Sequence, residues 1–189
     1  MKPGRRLLPY AMTSVIRNGL VMLFLPLACS SQEIGHEQQI VLAETFVSEF
    51  YISYQTRLKV HEKGNLPAWV NVAREEDSLL TSELARALSA DYEEARQFSG
   101  VIAGLDFDPF LASQDPCDDY RVEEVDSVAN GIRAKVYGDC TGAGERQPDV
   151  IAELVWVNGG FRFSNFHYPG LNTDLLTVLT LLRDAREGV

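Results

Sequence analysis

Val150-Ile-Ala-Glu-Leu-Val-Trp-Val157, Asn158-Gly-Gly160 and Phe161-Arg-Phe-Ser-Asn-Phe-His-Tyr168 decide the fold of this chain. Two runs rich in β-branched and aromatic residues flank an Asn-Gly pair, the strongest short-range signal of an antiparallel hairpin. In the first run Val150, Ala152, Leu154 and Trp156 alternate with Ile151, Glu153, Val155 and Val157. Both faces are therefore largely apolar, which fits a sheet buried on two sides or curved around a pocket. By simple alternation His167 in the second run shares a face with Phe161 and Phe163.

Upstream, Tyr120–Val128 and Ile132–Asp139 read as a second hairpin around Asn130-Gly131. Ile40, Ala43, Val47, Phe50, Tyr51, Tyr54 and Leu58 follow helical spacing and predict one long helix from Ile40 to about Lys63, broken by Gly64-Asn-Leu-Pro67. A second helical region is expected from about Glu75, with Thr81 or Ser82 as N-cap and Leu84, Leu88, Tyr92 and Ala95 on one face. Thr173-Asp174 can start a closing helix with Leu175, Val178, Leu179 and Leu182 inward and Arg183 and Arg186 suited to its C-terminal dipole. Helices, then an antiparallel meander of four strands, then a helix, spell an α+β fold with helices on one face of the sheet.

The N-terminus carries an address. Lys2, Arg5, Arg6 and Arg17 precede the apolar run Leu20–Ala28, which is too short for a membrane span and is basic on its N-terminal side only. Residues 1–28 are therefore expected to be a signal peptide, started at Met1 or at Met12, residues 29–39 a polar tether and 40–189 a single domain. Leu25-Pro-Leu-Ala-Cys29 resembles the bacterial lipoprotein box, apart from Pro26 where that box usually has Leu, and the resemblance implies lipidation of Cys29 and a cell-envelope location. The competing reading is a cut after Ser30, which gives a freely secreted or periplasmic protein.

Cys117 and Cys140 remain as a pair suited to an oxidising compartment, and they are expected to form a structural disulfide at the open end of the first hairpin. Centred on Asn130-Gly131, position 140 faces about 121, so the chain must bend for the sulfurs to meet. The leader holds four of the 17 basic residues and none of the 27 acidic ones, leaving a formal charge of −14 on the mature chain. That surface repels nucleic acid and anionic headgroups, so the expected partners are a lipid anchor and an envelope protein or small ligand.

The order of elements, Phe50-Tyr51-x-x-Tyr54, Asp106-Phe-Asp-Pro-Phe110 with Gln114-Asp115, and Trp156-x-x-Gly-Gly-Phe-Arg-Phe163 resemble a bacterial envelope family of unknown function that is similar to the nuclear transport factor 2-like cone fold. The resemblance covers about Ile40 to Leu182. It implies a cone rather than a role, because cone folds host isomerases, dehydratases, immunity proteins and plain binding modules.

Asp106, Asp108, Asp115, Asp118 and Asp119 would suit a hard cation by number, but they lack an EF-hand's spacing, and fixing the turns around Pro109 and Pro116 is the better use for them. No metal or cofactor is expected. Asp106, Asp108, Gln114, Asp115 and His167 are the candidate ligand-binding residues, and no residue is assigned to catalysis. Tyr51, Tyr54, Trp69, Trp156, Phe161, Phe163 and Phe166 either line a cavity in the cone or fill it. The expected function is a non-enzymatic, lipid-anchored envelope binding domain. The alternatives are an isomerase- or dehydratase-like enzyme with His167 or an Asp as base, and an immunity-like partner of a basic protein.

Overall fold

The computed structural model describes residues 35–59, 66–75, 79–98, 102–140 and 147–188. The expected signal peptide, Cys29 and most of the expected tether lie outside these. The described chain is α+β, with helices α1 (His36–Lys59), α2 (Ala68–Arg74) and α3 (Ser82–Ala95). Strands β1 (Tyr120–Val128), β2 (Gly131–Gly138), β3 (Val150–Val157), β4 (Gly160–Tyr168) and β5 (Thr173–Asp174) follow, and α4 (Leu175–Glu187) closes it. The strands form one antiparallel open sheet in sequence order. No described helix is long and apolar enough to cross a membrane.

The first helix starts at His36, taking in residues read as tether, since polar side chains facing water extend a helix at little cost and Gln39 N–H already bonds Gly35 C=O at 3.0 Å. Its stripe Ala43, Val47, Phe50, Tyr51 and Tyr54 is buried as the spacing predicts. Helix α2 is the element the spacing hid. Ala68, Trp69, Val70, Val72 and Ala73 are all buried, and a short helix that is apolar nearly all round leaves no 3.6-residue pattern to read. Helix α3 begins later than Glu75, at Ser82, capped by Thr81, whose side chain accepts from Leu84 N–H. A fifth strand joins the expected four because Thr173–Asp174 pairs with β4 before Asp174 caps α4.

Two β-bulges reset the sheet. In β4 the register against β3 shifts between Glu153 and Leu154, which leaves Ser164 as an extra residue. Phe161 and Phe163 before it and Phe166 and Tyr168 after it all point inward. His167 therefore faces outward, opposite to Phe161 and Phe163, and simple alternation fails there because a bulge inverts every residue beyond it. Asn165 at the bulge ties in the last helix: its Nδ2 donates to Asp174 Oδ1, and its Oδ1 accepts from Leu176 N–H. The otherwise bare edge of β4 at Phe163 is covered by Leu79 to Thr81, with Thr81 N–H donating to Phe163 C=O and Phe163 N–H to Leu79 C=O, both at 2.8 Å.

The second bulge, between Val122 and Glu124 in β1, explains the disulfide. The hairpin turn lies at Ala129-Asn130, one position earlier than expected, with Val128 opposite Gly131. Turn and bulge together bring Tyr120 opposite Gly138, and the Cys117 and Cys140 Cα atoms stand 5.0 Å apart in the disulfide. Gly138 is needed beneath it, since a Cβ there would sit 2.7 Å from Cys117 Sγ. Gly131 is equally constrained, because a Cβ would meet the Leu154 carbonyl oxygen at 2.1 Å. With a sequence separation of 23 between the cysteines, replacing both with Ser is expected to cost about 3 kcal/mol in urea unfolding. A loss below about 0.5 kcal/mol would mean that the crosslink constrains nothing the fold does not already hold.

Between the helices and the sheet lies a cluster of closely packed aromatic rings. Phe50 packs against Tyr51, Tyr54, Phe110 and Phe163 with ring centroids 4.7–5.4 Å apart, and Phe166 closes on Phe110 at 5.0 Å and Phe163 at 5.1 Å. Of the aromatics expected to line or fill a cavity, Tyr51, Tyr54, Trp69, Phe161, Phe163 and Phe166 are buried, and Trp156 is 45% exposed. Such offset and edge-on contacts add to the burial of each ring in this cluster.

Candidate functional site

With the interior packed, the site-bearing residues collect on the loop from Leu105 to Pro116, between the C-terminal end of α1 and the start of α2. Three buried tyrosines hold it, two through backbone carbonyls and one through a carboxylate. Tyr51 Oη donates to Phe110 C=O and Tyr168 Oη to Pro109 C=O, each at 2.8 Å, and Tyr54 Oη donates to Asp108 Oδ2 at 2.5 Å. Asp108 does the rest of the turn: its Oδ1 accepts from Phe110 N–H at 3.0 Å, its carbonyl accepts from Leu111 N–H, and its own N–H donates to Ser113 C=O. The chain then reverses through Ala112 at φ 53.

Asp108 is largely withdrawn from water and keeps an edge on the surface. Burial drives its carboxyl up to about 6, against the Tyr54 hydroxyl and the Phe110 and Leu111 amides, which favour the charged form. Burial, reinforced by the nearby Asp108 charge, holds Tyr51, Tyr54 and Tyr168 well above the ordinary tyrosine value, so all three remain donors.

A carboxyl raised on folding is more stable protonated, so its contribution to stability is fully present below the unfolded value of about 4 and is lost as pH rises through 6. Relative to an Asp108→Asn variant, the native chain should therefore gain on the order of 2–3 kcal/mol between pH 7 and pH 4. Chemical denaturation of both proteins across that range measures it, and parallel pH profiles would refute the shift.

Beside this loop lies an open cleft of about 390 Å³, walled by Leu58, Trp69, Phe107 and Pro116, with Asp106, Asp108, Ser113 and Gln114 as its polar members. Gln114 Nε2 donates to Asp106 Oδ2 at 3.1 Å across its rim. Trp69 is set edge-on to Tyr92 of α3 at 5.9 Å, so α2 holds the apolar wall. The cleft thus offers a carboxylate and an amide at its mouth, a second carboxylate at its floor, and apolar sides.

Asp106, Asp108 and Gln114 line the same cleft. Asp115 does not join them; it is exposed, and its backbone closes a small turn with the Ser113 hydroxyl. Asp119 uses Oδ1 to accept from Tyr120 N–H at the start of β1. Among the described residues, no group of three or more His, Cys, Asp and Glu side chains is placed to hold a metal ion.

His167 does not line this cleft and lies on the outer face of the sheet. Its Nε2 meets Glu153 Oε2 at 2.9 Å, and Arg133 Nη2 reaches the same oxygen at 2.9 Å, which makes a three-strand row on the outer side of the sheet. Burial alone would raise Glu153, but the hydrogen bonds from Arg133 and His167 outweigh it and hold the carboxyl below its ordinary value.

Sequence reasoning missed Trp69 as a wall of this cleft, because α2 was not readable, and missed Tyr168 as a pin for the loop. The only signal for Tyr168 was its place in a strand whose alternation the bulge inverts. No family model, no curated protein and no solved structure matches the chain.

Proposed function

We propose that this is a domain of the bacterial cell envelope, exported by its leader and tethered through a lipid on Cys29, that binds a protein or small ligand in the cleft beside the Leu105–Pro116 loop. The fold is read as a cone of the nuclear transport factor 2 kind whose interior serves as core rather than as a pocket. The observation that carries this reading is the contrast between the packed aromatic interior and the adjacent cleft, whose polar members sit on a loop held by three tyrosines. Binding residues preorganised on a rigid scaffold need little ordering when the ligand arrives. Asp106 and Gln114 at the mouth suit a donor-rich group such as an amine or amide, with an apolar stem lying against Leu58 and Trp69.

One observation favours a second reading, an isomerase- or dehydratase-like enzyme. Asp108 at the cleft floor, with Tyr54 beside it and its carboxyl raised to about 6, has the properties of a poised general base. The His167 form of that idea has no support, since His167 faces outward.

Intact mass of the mature protein from native membranes tests the address. A diacylglycerol on Cys29 is the expected result, and a chain beginning at Ser31 or retaining Met1 would overturn it. Isothermal titration with short amine- and guanidinium-bearing peptides tests the cleft: binding lost in Asp106→Ala is expected, and binding unchanged by that variant would remove the cleft from the account.

A further inference from the structure

The two ends of the domain differ. Phe46 on α1 contacts Phe161 and Phe163 at the beginning of β4, whereas Tyr51 further along contacts Tyr120 at the beginning of β1. The N-terminal half of α1 therefore lies at the end of the sheet that carries the turns between β1 and β2 and between β3 and β4. The cleft, with Leu58 in its wall, lies towards the other end, roughly 30 Å along the helix from His36 at 1.5 Å per residue.

The turn-bearing end exposes apolar surface. Trp156 is 45% exposed and Val157 39%, at the tip of the β3–β4 hairpin. Trp156 stands edge-on to Phe161 at 4.8 Å, Phe161 touches Phe46, and Leu42, 39% exposed, lies one helical turn before Phe46 on the same side. The chain leaves α1 at this same end, and the residues from Cys29 to His36 span at most about 25 Å even fully extended.

We propose that this end of the domain rests on the bilayer that holds its lipid, with Trp156 and Val157 entering the headgroup interface, Leu42 and Phe46 behind them, and the cleft presented away from the membrane. The inference rests on the lipid-anchor reading above. A bilayer fits better than another occupant because the anchor holds the patch within one short tether of lipid at all times. Tryptophan is the side chain that best suits a boundary between apolar and wet phases. The acidic mature chain makes the contact an apolar one, favouring zwitterionic over anionic lipid.

The test couples the chain from Cys29 onward, its other cysteines engaged in the disulfide, through the Cys29 thiol to maleimide lipid in phosphatidylcholine vesicles with or without brominated acyl chains. The chain holds two tryptophans, and Trp69 is buried at 7% exposure. Brominated lipid should therefore quench about half of the emission of the native chain and almost none in Trp156→Phe. A thermal scan shows that the variant is folded, and Val157→Asp should weaken the quenching while keeping Trp156.

Equal emission in both vesicles, or equal quenching in native and Trp156→Phe proteins, overturns the proposal. So does a patch that joins two copies, seen as a concentration-dependent dimer of the uncoupled chain that Trp156→Asp abolishes while Trp156 stays unquenched. Because the coupling is chemical, the result does not depend on acylation in the cell, which intact mass reports separately.

Discussion

Arg186→Ala is expected to lower unfolding stability by about 3–5 kcal/mol, because it strands a buried carboxylate. Asp91 is 2% exposed, the only buried polar or charged residue among those described. Arg186, with its side chain 7% exposed, donates from Nη1 to Asp91 Oδ1 and Ala103 C=O, each at 2.7 Å, and from Nη2 to Glu94 Oε2 at 2.9 Å. The remaining Asp91 oxygen accepts from Leu105 N–H at 3.0 Å. One guanidinium thus joins α4, α3 and the segment that leads into the cleft loop. Gly104 lets that segment come so close, as a Cβ there would lie 2.6 Å from Ala95 Cβ. Urea titration of Arg186→Ala checks the size of the effect. The double variant Arg186→Met with Asp91→Leu should recover most of the loss, because a well-packed apolar pair removes the unpaired charge. A single-variant loss under 1 kcal/mol would mean that water reaches Asp91.

Phe163→Ala should cost about as much, roughly 3–5 kcal/mol, for a different reason. Its ring is fully buried and touches Phe46, Phe50 and Phe166 at 4.7–5.1 Å between centroids. Its loss removes apolar burial and leaves a void between α1 and the sheet that rigid neighbours fill only in part. Such a dry void binds small apolar molecules, so benzene should raise the melting temperature of Phe163→Ala and leave the native protein unchanged. If benzene stabilised the native protein equally, the interior would hold a real cavity, and the enzyme reading would gain the pocket it needs.

The four long strands and helices α1, α3 and α4 were legible because their residues obey period 2 or period 3.6 over enough positions. What was illegible depends on single extra residues or on elements without a period. Ser164 is an ordinary strand residue in sequence, yet as the bulge it turns His167 outward and Tyr168 inward, where it pins the cleft loop. Likewise, the bulge near Glu123 and a turn at Ala129-Asn130 close the gap that seemed to separate Cys117 from Cys140. Helix α2 gave no stripe because it is only seven residues long, five of them buried, and Asn71 and Arg74 alone are too few to mark an exposed face.

In the candidate site, residue chemistry alone singled out Asp106, Asp108 and Gln114, and the structure places the three along one cleft, where they bond nearby backbone and polar groups. Asp115 and His167 were grouped with them by proximity in sequence or by assumed face, and tertiary register decides both. Arg183 and Arg186 fit the helix C-terminus equally well by spacing. Only the packing of α4 on α3 sends Arg186 inward to Asp91, while Arg183 stays exposed beside Asp184.

The central claim is that recognition takes place at the cleft and not inside the sheet. Its most direct test is site-specific photocrosslinking in intact cells that make the full chain, with a photoreactive residue placed in turn at Phe107 and Gln114 in the cleft and at Lys135 on the outer sheet face. The account predicts a discrete crosslinked species from Phe107 and Gln114, diminished at least about tenfold when Asp106→Ala is added, and none from Lys135. Crosslinks from Lys135 with none from the two cleft positions would contradict it and move the binding surface to the outer face around Arg133, Glu153 and His167.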